Sequence, residues 1–393
     1  MSVGAGLVVC AVLTRGGSLA AWDETGVLGR EWALYAELGR RGVRVVVASY
    51  GSEAEERAIA ARLPGEPIVV CGEGAALIER AASAAKGAGL RGGGGAIVVR
   101  SNQLQGSREA LEIARAVRAG GGRAVLAARG GYDYSRGFAA RFGPTSEPAR
   151  DAAAEEALVL PRADRVIVTT ERIAELLAWR HALPMDRFEV VPNYVTDDRP
   201  PVTDPSGREG DVVLAVGRLD PLKRFDLLIG AVGRLGGGAR LEIVGSGPEE
   251  NALRRAAERS GAPVVFVGRL SHAEVLGRVR RCAVFAQASS WEGHPKTVLE
   301  AMHAGAAVVC ATAPGLSETV RPEETGVLSA ARAESLARAI GRLLDNAPLR
   351  ERLGSAAASW TRRRLAVGVI ADRELEIYAD ALGERSTDGA SCV

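Results

Sequence analysis

The fold is decided by residues 212–244, whose sequence is VVLAVGRLDPLKRFDLLIGAVGRLGGGARLEIV. Two short runs rich in β-branched apolar residues, 212–216 and 240–244, flank a longer stretch with helix-forming character. A strand, a helix and a second strand in this order form a βαβ unit, whose strands are parallel and covered by helices. The stretch therefore predicts an open parallel sheet.

The same alternation runs through most of the chain and predicts an α/β fold with two Rossmann-like, doubly wound domains. Residues 193–211 interrupt it, because the sequence NYVTDDRPPVTDPSGREGD loses apolar periodicity and collects Pro, Asp and Gly. We predict an N-terminal domain at 1–195, a linker at 196–211 and a C-terminal domain at 212–360. A final helix within 361–393 is expected to return to the first domain. The two domains are expected to face each other across a ligand-binding cleft.

The predicted elements are short strands and longer amphipathic helices. In the first domain, strands are predicted near 6–13, 43–48, 67–71, 95–99, 123–127 and 165–169, with helices near 27–41, 74–87, 107–119 and 170–180. In the second domain, strands are predicted near 212–216, 240–244, 263–267, 283–286 and 306–310. Functional residues are expected at the carboxyl ends of these strands.

Length and composition exclude several classes of protein. The chain has 393 residues, of which 47% are apolar, so it can bury two or three domain cores. Its formal net charge is only +2 and both signs alternate, so no long-range field gathers nucleic acid. The abundance of Ala, Gly and Arg is typical of a GC-rich bacterial genome.

The location is predicted from the apolar runs and the cysteines. No run approaches the ~18 apolar residues that span a bilayer. The apolar segment 3–13 lacks a preceding positive segment, so it is interpreted as a first buried strand rather than a signal peptide. The five cysteines lack the spacing of a zinc site. We expect reduced thiols in a cytoplasmic protein, and peripheral contact with a membrane stays open.

A first candidate cluster follows the predicted strand 212–216. Gly217 ends the strand, and Arg218 and Lys223 bracket the turn that leads into the next helix. Two cations at a strand end suit two or more phosphate charges. The alternative is a solvated turn with incidental cations. Lysine occurs only three times in the chain, which favours a specific role for Lys223.

A second candidate cluster begins with SSWEGHPK at 289–296. Pro295 suits the first turn of a helix, whose free backbone N–H groups at about 294–297 attract an anion. Glu292 precedes this helix and Glu300 lies within it, about 7 Å along the axis from Pro295. Two carboxylates at this spacing can hold different parts of one elongated ligand. The alternative is a capped helix with two surface glutamates.

Four segments together resemble the donor-binding domain of family 4 retaining glycosyltransferases, also called glycosyltransferase group 1, which have the GT-B fold. They are VGRLDPLKRFDLLIGAVGRL, VGSGPEENAL, VVFVGRL and EGHPKTVLEAMHAGAAVV, and the resemblance covers about 193–328. The paired glutamates of that family match Glu292 and Glu300. Its phosphate-binding Arg and Lys match Arg218 and Lys223.

The resemblance implies a role for each of these residues. Glu300 holds the ribose hydroxyls, Glu292 the transferred sugar, and 268–270 meets the nucleobase through its backbone. Arg218, Lys223 and Glu292 are the expected catalytic residues. The complete expected donor site is Gly26, Gly217, Arg218, Lys223, Gly268, Arg269, Leu270, Glu292, Gly293, His294, Pro295, Lys296, Thr297 and Glu300.

The expected reaction moves a sugar from a nucleoside diphosphate, UDP or GDP by preference, to a hydroxyl of a glycan, a lipid-linked intermediate or a natural product. Cations and a helix N-terminus stabilise the leaving diphosphate, so neither a cofactor nor a metal is expected. In the usual description of the family, the leaving phosphate helps to deprotonate the acceptor on the same face and configuration is retained. The alternatives are a phosphorylase or epimerase of the same fold, or a catalytically silent nucleotide-sugar binding protein.

The N-terminal half resembles the family less closely. Gly26, in the loop 24–31, is the candidate for its glycine-rich first loop. Many members carry a histidine after a central strand, whereas 128–134 here reads ARGGYDY, and His181 is interpreted as structural. Polar residues at two strand ends either bind the acceptor or hold the loops together. They are Arg100, Asn102, Gln103, Arg129, Tyr132 and Asp133.

Overall fold

The computed structural model describes residues 6–90, 95–196, 209–235 and 238–383. They form two compact units, Met1–Pro192 with Val367–Val393, and Asn193–Ala366. Each unit contains one sheet in which every strand pairing is parallel. The predicted α/β class with two Rossmann-like sheets is confirmed.

The first unit is built on a seven-stranded sheet of order β3-β2-β1-β4-β5-β6-β7. The strands are β1 (Val8–Val12), β2 (Arg44–Ser49), β3 (Ile68–Cys71), β4 (Ile97–Ser101), β5 (Ala124–Gly130), β6 (Arg165–Val168) and β7 (Phe188–Val190). All five residues of β1 are fully buried, as expected for a central parallel strand. The strand order reverses between β1 and β4.

Helices connect these strands and cover the sheet. They are α1 (Leu19–Glu24), α2 (Leu28–Arg40), α3 (Glu53–Ala60), α4 (Gly74–Leu90), α5 (Ser107–Ala119), α6 (Tyr134–Phe142), α7 (Glu147–Val159) and α8 (Glu171–His181). Short or polar elements such as α1, α3 and the three-residue β7 were not predicted, because they lack a long periodic pattern.

The second unit is built on a six-stranded sheet of order β10-β9-β8-β11-β12-β13. The strands are β8 (Glu209–Val216), β9 (Arg240–Val244), β10 (Val264–Gly268), β11 (Cys282–Gln287), β12 (Ala307–Ala311) and β13 (Val327–Ser329). The helices are α9 (Phe225–Val232), α10 (Glu250–Ser260), α11 (His272–Arg281), α12 (Lys296–His303), α13 (Leu316–Thr319), α14 (Ala333–Leu344) and α15 (Ala347–Leu365). Here the strand order reverses between β8 and β11.

The unit boundaries differ from the predicted domain boundaries. The first unit ends at Pro192, and most of the predicted linker 196–211 lies outside the described residues. The second unit extends to Ala366, so its last helix, α15, continues beyond the predicted boundary at 360. Ala366 has extended backbone angles and forms a bridge with Val195, which ends α15. The returning helix α16 (Val367–Ala381) begins after Ala366 and lies within the predicted range 361–393.

A buried ion cluster attaches α16 to the first unit. Glu374 is fully buried and accepts two hydrogen bonds from Arg100, at 2.9 and 3.1 Å, and one from Arg129 at 2.9 Å. Tyr35 accepts a further hydrogen bond from Arg100 at 2.8 Å. Tyr378, one turn after Glu374, also donates to its carboxylate. The cluster thus joins β4, β5 and α2 to the last helix.

This cluster corrects two predicted acceptor-binding residues. The side chains of Arg100 and Arg129 are only 2% and 6% exposed, and both are paired with Glu374. An arginine in this setting is held inside the unit, because withdrawing it would leave a buried charge uncompensated. Of the two alternatives left open by the sequence, the structural one applies to both residues.

We predict that Glu374→Gln destabilises the first unit by about 3–5 kcal/mol, because two buried guanidinium groups lose their counter-ion. Urea unfolding followed by circular dichroism measures this. The matched control is Glu376→Gln on the same helix, whose side chain is 60% exposed and which should change stability by less than about 0.5 kcal/mol. Equal unfolding free energies for Glu374→Gln and the wild type would contradict the prediction.

The difference in unfolding free energy between the wild type and Glu374→Gln should also depend on pH. Burial acts to raise the pKa of Glu374, but the charges of Arg100 and Arg129 and the hydrogen bonds from Arg100 and Tyr378 lower it below its usual value. A carboxylate with a lowered pKa stabilises the fold above its unfolded pKa of about 4.3, and this contribution is lost as pH falls through the folded pKa. The stability gap between wild type and Glu374→Gln should therefore be full near neutral pH and close only in acid.

Candidate functional site

The loops that follow β8 and β11 meet at the point where the strand order of the second unit reverses. Lys223, in the first loop, donates a hydrogen bond from Nζ to Oε1 of Glu292, in the second loop, at 2.6 Å. Open parallel sheets bind ligands at such reversal points, where neighbouring loops diverge. The structure therefore brings two of the three predicted catalytic residues into direct contact.

Local hydrogen bonds fix the two loops. Oδ1 of Asp220 accepts from the backbone of Leu222 at 3.1 Å and of Lys223 at 3.3 Å, which caps the short turn that carries Lys223. The backbone N–H of Ser290 donates to the carbonyl of Leu222 at 2.8 Å and ties the loops together. The N–H of Glu292 donates to the carbonyl of Pro314 at 3.0 Å. Lys223 and Glu292 are thus placed by their backbones as well as by each other.

Two polar side chains that the sequence analysis assigned no role also contact Glu292. Ser289 donates from Oγ to Oε1 at 2.6 Å, and Gln287 donates from Nε2 to the same oxygen at 3.0 Å. Gln287 also donates to Ser289 Oγ at 2.7 Å. Both side chains are buried, at the end of β11 and just after it. Their closeness to Glu292 along the chain was the signal that could have identified them.

A cavity of about 500 Å³ opens at the carboxyl ends of β8 and β9, and the residues that line it include Gly217 and Arg218 of the loop that also carries Lys223. This volume suits a small-molecule ligand. Four residues predicted to bind the donor line it, namely Gly217, Arg218, Arg269 and Leu270. Arg218 and Arg269 are exposed and contribute positive charge to its lining. The cavity is formed within the second unit alone.

Two glycines outside the predicted site also line the cavity. A Cβ atom on Gly245 would lie 1.9 Å from the carbonyl oxygen of Gly217, and one on Gly247 would lie 2.3 Å from that of Leu219. Gly245 also has a φ of +141°, which side chains rarely adopt. The loop after β9 can therefore approach the loop after β8 only because both positions are glycine.

Helix α12 follows the Glu292 loop. Pro295 is its N-cap, so the helix begins at Lys296, one residue later than the sequence analysis assumed. Its first N–H groups lack partners within the helix and form a site of partial positive charge. Thr297 lies in this first turn, and Gly293 is buried in the preceding loop.

His294 has a structural contact in this loop. Its Nδ1 accepts from the backbone N–H of Asn193 at 3.0 Å, and its carbonyl accepts from the Asn193 side chain at 2.6 Å. The residue is buried. His294 was predicted at the donor site. Its imidazole therefore also binds Asn193, the residue at which the second unit begins.

Glu300 lies on α12 and is 7% exposed. Its Oε1 lies 2.9 Å from Nε2 of His272, the first residue of α11. Ser271 and Glu274 form a capping box that fixes the start of α11 and so places His272. His272 was not among the predicted site residues, because nothing in the residue order indicates that α11 and α12 lie side by side.

The structure changes the interpretation of Gly26. Gly26 lies in the turn between α1 and α2, with a φ of +69°. The loop that directly follows β1 is 13–18 instead, and it contains Gly16 and Gly17 before Ser18 caps α1. Gly26 is thus separated from the strand end by a short helix that was not predicted.

The other predicted acceptor residues divide into two groups. Asp133 is buried, caps α6 and pairs with Arg180 at 2.7 and 2.9 Å, so its role is structural. Asn102 accepts from Tyr35 at 3.3 Å, and Gln103 accepts from the N–H of Gly131 at 3.0 Å. Both are only partly buried. These amides remain available at the end of β4.

Tyr132 and His181 complete the residues considered in the first unit. Burial raises the pKa of Tyr132 to about 12, so its phenol is neutral at physiological pH. His181 Nε2 lies 3.4 Å from the buried carboxylate of Glu156, a contact that fits its predicted structural role.

The described residues also bear on metal binding and on insertion into a membrane. In the residues that the structure describes, no group of three or more His, Cys, Asp or Glu side chains is placed to hold a metal ion. Within the same ranges, no helix has both the length and the apolar character needed to cross a bilayer.

Comparison with known families identifies the region that carries this site. Residues 204–360 match the family described as Glycosyl transferases group 1. This region is similar to that family. The group 1 region, residues 204–360, contains the Lys223–Glu292 pair, the cavity and α12. The resemblance drawn from the sequence motifs is confirmed.

Two curated relatives extend the similarity beyond the group 1 region. The chain is 31% identical over 264 residues to 2-deoxystreptamine N-acetyl-D-glucosaminyltransferase of Streptomyces fradiae, which covers 61% of this chain and 60% of that protein. It is 32% identical over 269 residues to D-inositol 3-phosphate glycosyltransferase of Acidothermus cellulolyticus, which covers 62% and 59%. The chain thus spans about three fifths of the length of these relatives.

Solved structures share the fold over nearly the whole chain. HepE of Anabaena in complex with UDP-glucose matches with a TM-score of 0.71 and 17% identity, over 95% of this chain and 99% of that chain. Sucrose-phosphate synthase from Thermosynechococcus elongatus matches with a TM-score of 0.70 and 19% identity, over 96% and 100%. These matches confirm that the group 1 region is part of a GT-B fold.

We predict that Gly245→Ala destabilises the second unit by about 1–3 kcal/mol, because the new methyl group overlaps the Gly217 carbonyl. Urea unfolding measures the loss. The control is Gly277→Ala inside α11, where the nearest atom to a Cβ would be Arg281 Nη1 at 3.7 Å. That substitution should stabilise the unit by about 0.5–1 kcal/mol. A Gly245→Ala variant as stable as the wild type would show that the two loops can separate freely.

Proposed function

We propose that this protein is a retaining glycosyltransferase that moves a sugar from a nucleoside-diphosphate sugar to a hydroxyl group of an acceptor. The observation that carries the proposal is the 2.6 Å contact between Lys223 and Glu292, in the same unit as a cavity of about 500 Å³ that Arg218 lines. The contact lies at the strand reversal, inside the group 1 region. In this proposal a sugar diphosphate bound at the strand reversal would meet both a cation and a carboxylate.

The chemistry requires charge stabilisation more than proton transfer. Breaking the bond between sugar and phosphate leaves negative charge on the departing nucleoside diphosphate. Lys223, Arg218 and the first turn of α12 supply positive charge for it, and groups that stabilise the charge of the leaving diphosphate lower the barrier. In this proposal Glu292 orients the sugar and Glu300 binds the ribose. The cations take the part that a divalent metal plays elsewhere, so we propose a metal-independent reaction.

The donor and the acceptor are proposed from the relatives. A structural neighbour was solved with UDP-glucose, which supports a UDP-sugar, with a GDP-sugar as the second choice. The two relatives are named for 2-deoxystreptamine and inositol 3-phosphate, both of which contain a six-membered carbocycle bearing hydroxyl groups. We therefore propose a hydroxyl of such a ring as the acceptor, with Asn102, Gln103 and Tyr132 as candidate contacts.

We also propose a cytoplasmic location. Cys10, Cys71, Cys282 and Cys310 are buried free thiols, which fits a reducing compartment. Burial raises the pKa of Cys10 to about 12, so this thiol is not reactive. Peripheral contact with a membrane is compatible with this proposal and depends on the acceptor.

Nucleotide binding is the first test. UDP, GDP, ADP, CDP and dTDP are each added to the purified protein, and the thermal unfolding midpoint is recorded. One of them, expected to be UDP or GDP, should add about 2.7 kcal/mol of stability at a hundredfold excess over its Kd. Arg218→Ala and Glu300→Ala should lose this shift.

Arg338→Ala serves as the matched control for binding, because Arg338 is exposed and pairs only with side chains of its own helix. It should keep the full shift. If no nucleotide stabilises the wild type, the cavity is not a nucleotide site and the proposal is wrong.

Turnover is the second test. Lys223→Ala and Glu292→Ala should each lower kcat by about 10²–10³, as expected when one group that stabilises transition-state charge is removed. Release of nucleoside diphosphate from the donor measures the rate, and proton NMR of the product gives its anomeric configuration. EDTA should leave the rate unchanged.

This assay can contradict each part of the proposal separately. An inverted product would exclude retention, and a loss of rate in EDTA would exclude metal independence. An isomerised nucleotide sugar formed without acceptor would indicate an epimerase instead.

A further inference from the structure

The two carboxylate oxygens of Glu292 accept different numbers of hydrogen bonds. Oε1 accepts from Lys223 at 2.6 Å, Ser289 at 2.6 Å and Gln287 at 3.0 Å. Across the described ranges of the chain, Oε2 accepts no hydrogen bond. A carboxylate oxygen has about two lone-pair sites. Three donors therefore share two sites on Oε1, and any one donor can withdraw without leaving this oxygen unsatisfied.

The three donors differ in their freedom to withdraw. Ser289 is fully buried and Gln287 is 3% exposed, and the two are hydrogen-bonded to each other at 2.7 Å. The Lys223 side chain is 22% exposed and carries three N–H donors on a flexible stem. Lys223 is therefore the donor that can turn away, while Ser289 and Gln287 stay in place.

We propose that Ser289 and Gln287 are positioning residues that keep Glu292 hydrogen-bonded when Lys223 turns to the diphosphate of the donor. The inference rests on the proposed function, because it assumes a diphosphate at this site. Lys223 is shared between two anions, Glu292 at rest and phosphate in the complex. Ser289 and Gln287 lower the cost of that exchange, since the carboxylate of Glu292, whose side chain is only 13% exposed, would otherwise lose a partner that water replaces only in part.

Lys223 is paired with Glu292 through a single hydrogen bond to Oε1. Without Ser289 or Gln287, Oε1 would depend more strongly on Lys223, and the ammonium group would be harder to withdraw. Nucleotide affinity would fall although neither residue touches the nucleotide. The effect would require the charge of Glu292, which separates it from a general loosening of the loop.

The test is a double-mutant cycle on nucleotide affinity. Ser289→Ala and Gln287→Met are made in the wild type and in a Glu292→Gln background. Isothermal titration calorimetry measures the Kd of the nucleoside diphosphate that stabilises the wild type. In the wild-type background each substitution should raise the Kd about tenfold, the effect of losing one hydrogen bond to a charged group. In the Glu292→Gln background the same substitutions should change the Kd less than about twofold, because the neutral amide holds Lys223 weakly.

Ser290→Ala is the matched control. Its hydroxyl lies in the same loop but donates to the carbonyl of Leu222, at 3.2 Å, and not to Glu292. Its Kd should stay within about twofold of the wild type, since the altered contact is exposed. Circular dichroism establishes that each variant is folded, and if Ser289→Ala or Gln287→Met does not fold, the other one decides.

Three results would overturn the inference. Equal losses of affinity in both backgrounds would mean that Ser289 and Gln287 only support the loop. Unchanged affinity in both backgrounds would mean that Lys223 needs no help to leave Glu292. A wild type that binds no nucleoside diphosphate would remove the proposed function itself, and this outcome is distinct from the other two because it is read before any variant is made.

Discussion

Parallel strands must all deliver their carboxyl ends to the same edge of a sheet, and the candidate site depends on this constraint. In the second unit the order reverses between β8 and β11, so the loops after these two strands leave in opposite directions and open a crevice. Lys223 and Glu292 meet there although 69 positions separate them in the chain. The adjacent loop after β9 can close the cavity only because Gly245 has no side chain.

The sequence predicted what depends on local pattern. Strand β9 was placed at 240–244, as found, because a short β-branched run between turns has few other interpretations. The candidate residues after β8 and β11 were predicted for a related reason, since ligands bind at the carboxyl ends of the strands in open parallel sheets. Both inferences need only neighbours in the chain and the rule that strand ends share an edge.

What the sequence could not predict depends on contacts between distant segments. Arg100 and Arg129 have the same appearance in the sequence as ligand-binding arginines, and only the return of α16 shows that Glu374 neutralises them. His272 meets Glu300 only because two helices pack side by side. Gly26 was predicted in the first loop because α1 is too short to leave a periodic signal, so the sequence did not show that Gly16 and Gly17 follow β1 directly.

The return of α16 also affects how the protein is made. A ribosome synthesises the first 192 residues before any of the second unit, yet the first unit is complete only when residues 367–381 have been added. Until then, Arg100 and Arg129 lack the carboxylate of Glu374 that neutralises them. The first unit therefore reaches its final packing only after the second unit has been translated.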